Sequence, residues 1–330
     1  MNSPAEVLFS GVKLPPALPV VDHYAGTHKL ILKALGLQAE MAQGGPPIFD
    51  VTCDCEDGAP VGGEREHAHM VAEVLLSSAN AYGRAATRVH DVTHPHWRDD
   101  LEILVSAAGS CLAYVTFPKP GGVKDVQVQL EALREAERRA GLQREIPAHV
   151  LIETHGALRE AWEIAALPGV ESLDFGLMDF VSAHFGAIPG DAMKSPEQFR
   201  HPLVTRAKCE IVTAALAHGL LPSHNVCTEL SDPEVIRADA QAARRLGFLR
   251  MWSIHPSQIL PIVEAMRPDF AKLGIAVEIL QAAADVGWGP IRHKDKLHDR
   301  ASFRYYWQLL QAARTTGMLL PETVQGWFDE

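Results

Sequence analysis

Short apolar runs alternate with amphipathic segments over most of the chain. Within residues 148–180, the apolar run AHVLI leads into Glu153, an amphipathic segment follows, and a second run, ESLDFG, precedes Asp179. This alternation predicts βαβ units, whose strands pair in parallel and whose helices cover the sheet. Eight such units can be counted, which predicts an α/β fold, a (β/α)8 TIM barrel. The predicted strands are 18–21, 47–54, 86–91, 112–119, 148–152, 171–176, 221–226 and 251–256.

Two segments lie outside this repeating pattern. Residues 1–17 contain several prolines and predict an irregular arm. The run WGP at 288–290 indicates a boundary, and residues 301–317 then show the spacing of one more amphipathic helix. We therefore expect the barrel and its arm to occupy 1–287 and a C-terminal helical extension or lid to occupy 288–330.

Composition limits the classes of function. Of the 330 residues, 47% are hydrophobic and 22% are charged, and the formal net charge is −11. A buried core is therefore expected, and the lack of a basic footprint argues against nucleic acid and anionic membrane surfaces as partners. No signal peptide or membrane-spanning run is apparent, so we expect a cytoplasmic protein. Five cysteines are too few for a disulfide framework, and the sequence contains no dinucleotide or P-loop motif.

Two carboxylates follow neighbouring strands of the predicted barrel. Glu153 comes directly after the fifth strand, and Asp179 comes shortly after the sixth. Active sites of such barrels lie at the C-terminal ends of the strands, so these side chains should converge on one spot. Converging carboxylates repel each other unless a cation lies between them, and Mg²⁺ takes such oxygen ligands. The alternative is that both are solvated residues of βα loops.

Six segments, taken in order, resemble one family of enzymes. The sequence is similar to the citrate lyase β-subunit family, part of the HpcH/HpaI aldolase superfamily, over roughly residues 45–285. The resemblance implies a Mg²⁺-dependent (β/α)8 enzyme that makes or breaks a carbon–carbon bond between a 2-oxo acid and an acyl thioester. The matching segments are FDVTCDCEDGAP, RVHDVTHPHWRDDL, TFPKPGGVKDV, LIETHGAL, LDFGLMDF and GFLRMWSIHPSQI.

The resemblance also implies roles for individual residues. Glu153 and Asp179 would be the metal ligands, in agreement with their positions after two strands. Arg88 would be catalytic and substrate-binding, because its planar guanidinium suits a carboxylate or thioester oxygen. A structural salt bridge of Arg88 with Asp54 or Glu56 is the alternative, and the two roles are compatible.

Further matching residues surround the same strand ends. Glu56 and Asp57 correspond to the family's acidic pair and are candidate catalytic residues, and we expect Glu56 to point inward because adjacent strand residues face opposite ways. Asp57 could instead form a turn with the following glycine. Lys119, Gly176 and His255 are predicted to bind substrate. For Lys119 the alternative is an ion pair at the barrel rim, and for His255 it is a contact at the start of a helix.

Three histidines follow the third predicted strand. His90, His94 and His96 are spaced as H-x₃-H-x-H, which invites a zinc interpretation. Pro95 and the break between strand and helix argue against a regular face of metal ligands. The sequence departs from the family here, because His90 or Asp91 replaces an asparagine that members carry.

These features predict a carbon–carbon lyase that acts on a 3-hydroxyacyl thioester carried by coenzyme A or a carrier protein. The general base is unassigned, with Glu56 or an acid from a neighbouring subunit's lid as candidates. A lid of that kind would make a homo-oligomer, a trimer or hexamer. The alternatives are an acyl-CoA thioester hydrolase on the same scaffold and a non-catalytic subunit that binds a ligand or carrier.

Overall fold

A closed barrel of eight parallel strands forms the body of the protein. The computed structural model describes residues 4–328. Each strand pairs with the next along the chain, and the last pairs with the first, so the predicted (β/α)8 barrel is confirmed. The strands are β1 (Val21–Ala25), β2 (Phe49–Asp54), β3 (Ala85–Arg88), β4 (Leu112–Phe117), β5 (Ala148–Ile152), β6 (Val170–Phe175), β7 (Leu221–His224) and β8 (Arg250–Ser253).

Helices cover the outside of the barrel and complete its main core. Apolar side chains of the strands pack against the inner faces of these helices in one large hydrophobic cluster. None of the helices in residues 4–328 has both the length and the apolar character that a membrane span requires. The covering helices are α2 (His28–Ala42), α3 (Glu64–Leu76), α4 (Trp97–Ala108), α5 (Val123–Ala140), α6 (His155–Arg159), α7 (Ala161–Ala165), α8 (Leu177–Ser182), α9 (Pro202–Ala217), α10 (Pro233–Leu246) and α11 (Pro256–Met266).

Strand β1 lies further along the chain than the predicted strand 18–21. It begins at Val21 and carries Asp22 and His23, both of which are buried. The hydroxyl of Thr52 donates a hydrogen bond of 2.7 Å to Asp22, and His23 Nδ1 lies 3.0 Å from Ser253 Oγ. Because polar residues occupy buried positions in β1, the strand does not show the apolar pattern by which strands are recognised.

A second hydrophobic cluster joins the two ends of the chain. It combines α1 (Pro4–Phe9) with α12 (Phe270–Asp285), α13 (Arg300–Thr315) and α14 (Glu322–Gln325). A short hairpin of β9 (Ile291–His293) and β10 (Lys296–His298) connects α12 to α13.

Residues 4–9 are therefore helical rather than irregular, because their apolar side chains find a partner in the C-terminal helices. Leu8 is fully buried in the second cluster, and its carbonyl accepts a 2.7 Å hydrogen bond from Arg304 Nε. The predicted C-terminal helix forms as α13, but the cluster also includes α12, which lies before the predicted boundary at 287/288. That boundary stays a prediction.

Candidate active site at the barrel mouth

All the predicted site residues except His255 lie at or shortly after the C-terminal ends of five consecutive strands. Glu56 and Asp57 come after β2, Arg88 ends β3, and Lys119 comes after β4. Glu153 directly follows β5, while Gly176 and Asp179 lie at the junction of β6 and α8. This placement puts these side chains at one rim of the barrel, which we call the mouth.

Glu153 is a deeply buried acid of the mouth. Its side chain accepts a 2.8 Å hydrogen bond from the Lys119 backbone N–H, and the residue is 2% exposed. Burial, together with the charge of Asp179, raises the pKa of Glu153 from its ordinary value of 4.5 to about 8. A nearby cation would relieve both effects.

Gly176 is required by the position of Glu153. A Cβ atom at Gly176 would lie 1.9 Å from Glu153 Oε2, well inside any van der Waals contact. Only glycine allows the backbone to come this close to the carboxylate. The structure thus places Gly176 against a predicted metal ligand, whereas its predicted role in substrate binding is untested.

Asp179 lies near Glu153 at the mouth, since its charge contributes to the raised pKa of Glu153. It lies in the first turn of α8, and its side chain is 43% exposed. The ammonium group of Lys119 lies 4.0 Å from Asp179 Oδ1. Glu153 therefore contacts the backbone of Lys119, whereas Asp179 lies near the side chain of Lys119.

Arg88 is held rigidly by two carboxylates. It donates two hydrogen bonds to Asp54, of 2.7 and 2.5 Å, and its Nη1 lies 2.9 Å from Glu56 Oε2. The guanidinium also lies over the ring of Tyr24, 5.4 Å from its centroid. Burial opposes the charge, but the charge and hydrogen bonds of Asp54 outweigh burial and raise the pKa of Arg88. The predicted salt bridge is thus present, and it fixes the guanidinium at the mouth.

Asp54 also shapes the loop that carries the acidic pair. Its two carboxylate oxygens accept hydrogen bonds from the backbone N–H groups of Glu56, at 3.1 Å, and Gly58, at 2.8 Å. A Cβ atom at Gly58 would lie 2.3 Å from Asp54 Oδ2, so this turn needs glycine. Glu56 is buried and Asp57 is exposed, as expected for the inward and outward members of the pair.

Lys119 links the acids of the mouth. Its ammonium group bonds to Glu56 and lies 2.7 Å from Asp57 Oδ2. Burial opposes its charge, but the hydrogen bonds to these carboxylates outweigh burial and raise the pKa of Lys119. Its backbone has a φ of 49°, in the left-handed region that residues other than glycine seldom adopt. The ion pair at the barrel rim, the alternative predicted for Lys119, is therefore present.

The mouth fits a magnesium ion. Glu153 and Asp179 offer carboxylate oxygens, which are the donors that Mg²⁺ prefers, and a cation beside them would offset the burial and the repulsion that raise the pKa of Glu153. Another possible metal-ligand group among the described residues lies inside the barrel and consists of Asp22, His149 and Asp174. Arg250 lies 3.6 Å from Asp22 there, and a guanidinium so close opposes a divalent cation.

His255 and the three histidines that follow β3 lie in different surroundings. His255 is exposed at the start of α11, where its side chain accepts a hydrogen bond from the Ser257 N–H at 3.3 Å. This is the helix-start contact considered above, so substrate binding by His255 stays a prediction. His90, His94 and His96 lie together, but they are not among the converging metal-ligand groups found in residues 4–328. The structure gives the zinc interpretation no support.

Two residues at the mouth were not predicted from the sequence. Tyr24 packs beneath Arg88, and Asp100 holds His90 through its Nδ1 at 2.7 Å. Tyr24 lies in the strand that the apolar pattern misplaced. Asp100 is an acid in the first turn of a helix, a position that acids commonly occupy. No local signal therefore distinguished either residue.

Comparisons with known proteins bear on this arrangement. A family model described as HpcH/HpaI aldolase/citrate lyase matches residues 49–256. The L-malyl-CoA/beta-methylmalyl-CoA lyase of Cereibacter sphaeroides is 29% identical over 266 residues, which span 77% of this chain and 84% of that protein. A (3S)-malyl-CoA thioesterase of the same species is 27% identical over 246 residues, which span 74% of this chain and 75% of that protein.

Solved structures resemble the whole chain. A citrate lyase from Burkholderia xenovorans is 50% identical, with a TM-score of 0.86, and the match covers 99% of this chain and all of that one. The CitE protein of Mycobacterium tuberculosis, in complex with magnesium, acetoacetate and coenzyme A, shares the fold at 21% identity. Its TM-score is 0.67, and the match covers 90% of this chain and 99% of that one. The predicted class, a carbon–carbon lyase, is confirmed by these relatives. The chain belongs to the HpcH/HpaI aldolase/citrate lyase family.

Proposed function

We propose that this enzyme cleaves, or in reverse forms, a 3-hydroxyacyl-CoA thioester, giving a 2-oxo acid and an acyl-CoA in a Mg²⁺-dependent reaction. The observation that carries the proposal is the pairing of Glu153 and Asp179 beside a rigidly held Arg88 at the barrel mouth. The malyl-CoA lyase among the relatives supports the choice of a CoA thioester.

Glu153 and Asp179 would hold the magnesium ion. When bound, Mg²⁺ supplies Lewis acidity and a template for the carboxylate and hydroxyl oxygens of a 3-hydroxy acid. Glu153 is kept in place for this task by the Lys119 N–H and by the absence of a side chain at Gly176.

Arg88 provides positive charge where negative charge develops. Cleavage removes the hydroxyl proton, breaks the C2–C3 bond and leaves the acyl-CoA half as an enolate. A guanidinium held by two carboxylates does not need to reorganise during the reaction, so it can stabilise the enolate oxygen efficiently. Asp54 and Glu56 supply this fixed orientation.

Two alternatives predict different products. A thioester hydrolase, favoured by the similarity to a malyl-CoA thioesterase, would release free thiol. A non-catalytic binding subunit would release no product. The presence of Glu153, Asp179 and Arg88 together at the mouth argues against this alternative. A homo-oligomer and a cytoplasmic location, both expected from the sequence, stay predictions.

The test is a product assay on a small panel of 3-hydroxyacyl-CoA thioesters, with oxo acid and free thiol measured separately. We expect oxo acid without free thiol in the presence of Mg²⁺, and no oxo acid in EDTA or with Glu153→Gln. Release of thiol in place of oxo acid would identify the hydrolase. Tight binding of the thioesters without any product would indicate the binding subunit.

A further inference from the structure

A histidine–aspartate pair lies at the mouth, directly after the strand that carries Arg88. Arg88 ends β3, Val89 follows, and its N–H still bonds to β4 through the Thr116 carbonyl at 3.2 Å. Val89 is fully buried in the core between strands and helices. Because side chains alternate along the strand, Arg88 leaves the backbone on the opposite side from Val89, towards the mouth. His90 lies close enough to the mouth for the charge of Glu56 to act on its ring.

Asp100 fixes the orientation of the His90 ring. One oxygen of this fully buried carboxylate accepts two hydrogen bonds from the same residue, from the His90 backbone N–H at 3.0 Å and from ring Nδ1 at 2.7 Å. The ring face is covered by His94, whose ring stacks on it with a centroid distance of 3.9 Å. Position, plane and tautomer of the imidazole are thus all determined by its neighbours.

The remaining nitrogen of His90 has no hydrogen-bond partner among residues 4–328. With the proton of the neutral ring on Nδ1, facing Asp100, Nε2 carries the free lone pair. Within residues 4–328, no other group forms a hydrogen bond with the His90 ring, and the ring is not fully enclosed, since the side chain is 10% exposed. A nitrogen oriented in this way, on a residue two positions after Arg88 in the chain, can accept a proton.

The charges around His90 support this role. Asp100 of α4, Glu56 after β2 and Glu64 at the start of α3 all favour the imidazolium, while His94 opposes it. Burial opposes protonation, but the hydrogen bond and charge of Asp100 outweigh burial and raise the pKa of His90.

Glu56 is less suited to accept a proton than His90. Lys119 contacts its Oε1, and Arg88 Nη1 lies 2.9 Å from its Oε2, so both oxygens already face cations. Of these two groups at the mouth, only His90 combines a free basic atom with a fixed orientation.

We propose that His90, oriented by Asp100, is the general base that takes the hydroxyl proton of the 3-hydroxyacyl thioester at Nε2. The electron pair of the O–H bond then forms the carbonyl of the oxo acid, and the electron pair of the C–C bond passes to the acyl-CoA enolate. The enolate carbon takes up a proton, from the imidazolium or from solvent, and no other reactant is needed. The inference rests on the lyase function proposed above.

The test compares His90→Gln and Asp100→Asn with the matched control His96→Gln, because His96 lies in the same loop but its ring pairs with Asp99 instead of Asp100. Cleavage is measured from pH 5.5 to 9.5 in saturating Mg²⁺, after thermal unfolding and Mg²⁺ titration show that each variant is folded. We expect His90→Gln to lower kcat by about 10²–10³-fold with little change in KM, and to remove the acidic limb of the pH profile. Asp100→Asn should lower kcat and shift that limb, while His96→Gln should keep both within a few-fold.

Two results would overturn the inference in distinguishable ways. If wild type cleaves the thioester and His90→Gln cleaves it as fast, with the same acidic limb, the lyase function stands and His90 is not the base. If wild type releases no oxo acid from any thioester of the panel, the lyase function fails and the role of His90 fails with it. Should His90→Gln not fold, Asp100→Asn decides, because an unchanged kcat and pH profile in that variant excludes the dyad.

Discussion

Replacing Glu153 by glutamine should stabilise the metal-free protein at alkaline pH. The Glu153 carboxyl is 2% exposed, and its pKa is raised from 4.5 to about 8. An acid with a raised pKa in the folded state contributes its full stability below pH 4.5, and this contribution is lost as the pH rises to about 8. The amide of Glu153→Gln is neutral at every pH, so the variant keeps this stability at alkaline pH.

The size of the effect follows from the pKa difference. At about 1.4 kcal/mol per pH unit, the interval from 4.5 to about 8 corresponds to about 5 kcal/mol of unfolding free energy. With an unfolding entropy of about 2.1 cal/mol/K per residue, a chain of 330 residues would show this as roughly 7 °C in Tm.

The assay is thermal unfolding in EDTA at pH 5 and pH 8.5, for wild type, Glu153→Gln and the control Glu131→Gln. Glu131 is exposed on α5, so its substitution should change little. We expect wild type and Glu153→Gln to unfold at similar temperatures at pH 5, and the variant to be several degrees more stable at pH 8.5. Added Mg²⁺ should raise the unfolding temperature of wild type at pH 8.5 but should not change that of Glu153→Gln. A variant that is less stable than wild type at pH 8.5 would refute the reasoning.

Three other substitutions test single contacts of the mouth. Gly176→Ala should weaken Mg²⁺ binding by at least about 10-fold, because the added Cβ would lie 1.9 Å from Glu153 Oε2. The control is Gly36→Ala on α2, where the added Cβ meets no other atom. This control should increase the unfolding free energy in denaturant titrations by about 0.5–1 kcal/mol. Arg88→Lys should lower kcat/KM by about 10²-fold in the cleavage assay, because lysine cannot make the paired contacts to both carboxylates, and a loss under threefold would contradict this. Lys119→Met should tighten Mg²⁺ binding by about 10-fold in calorimetry, because the substitution removes a competing cation from the acids. The control Lys124→Met should leave Mg²⁺ binding unchanged. Weaker Mg²⁺ binding by Lys119→Met would show that the ammonium group organises the site instead.

The sequence predicted the barrel well because its signal is periodic. Apolar runs such as AHVLI alternate with amphipathic helices, and the order of strands in the barrel follows the order in the chain. The prediction was wrong where polar residues are buried, as for Asp22 and His23 in β1. It also missed α1, whose packing against α13 depends on residues almost 300 positions away.

The site was predictable only as far as strand ends could indicate it. Glu153 follows the apolar run AHVLI, so its position at the mouth follows from parallel pairing. Arg88 lies within the predicted strand 86–91, and only the structure shows that β3 ends there. The left-handed backbone of Lys119 and the dyad of His90 with Asp100 depend on tertiary contacts. The spacing of the histidines suggested a metal site, whereas stacking and an aspartate partner give His90 a different environment.

The central claim is that the metal binds at the mouth, between Glu153 and Asp179. The most direct measurement is an electron paramagnetic resonance titration with Mn²⁺, as a substitute for Mg²⁺, of wild type, Asp179→Asn and Asp174→Asn. Asp179 is partly exposed, so its substitution should not unfold the protein, and Asp174 belongs to the buried group inside the barrel. We predict one ion per chain in wild type and in Asp174→Asn, and binding at least about 10-fold weaker in Asp179→Asn, because a ligand is lost. Binding that is unchanged in Asp179→Asn but lost in Asp174→Asn would contradict the account and place the ion inside the barrel.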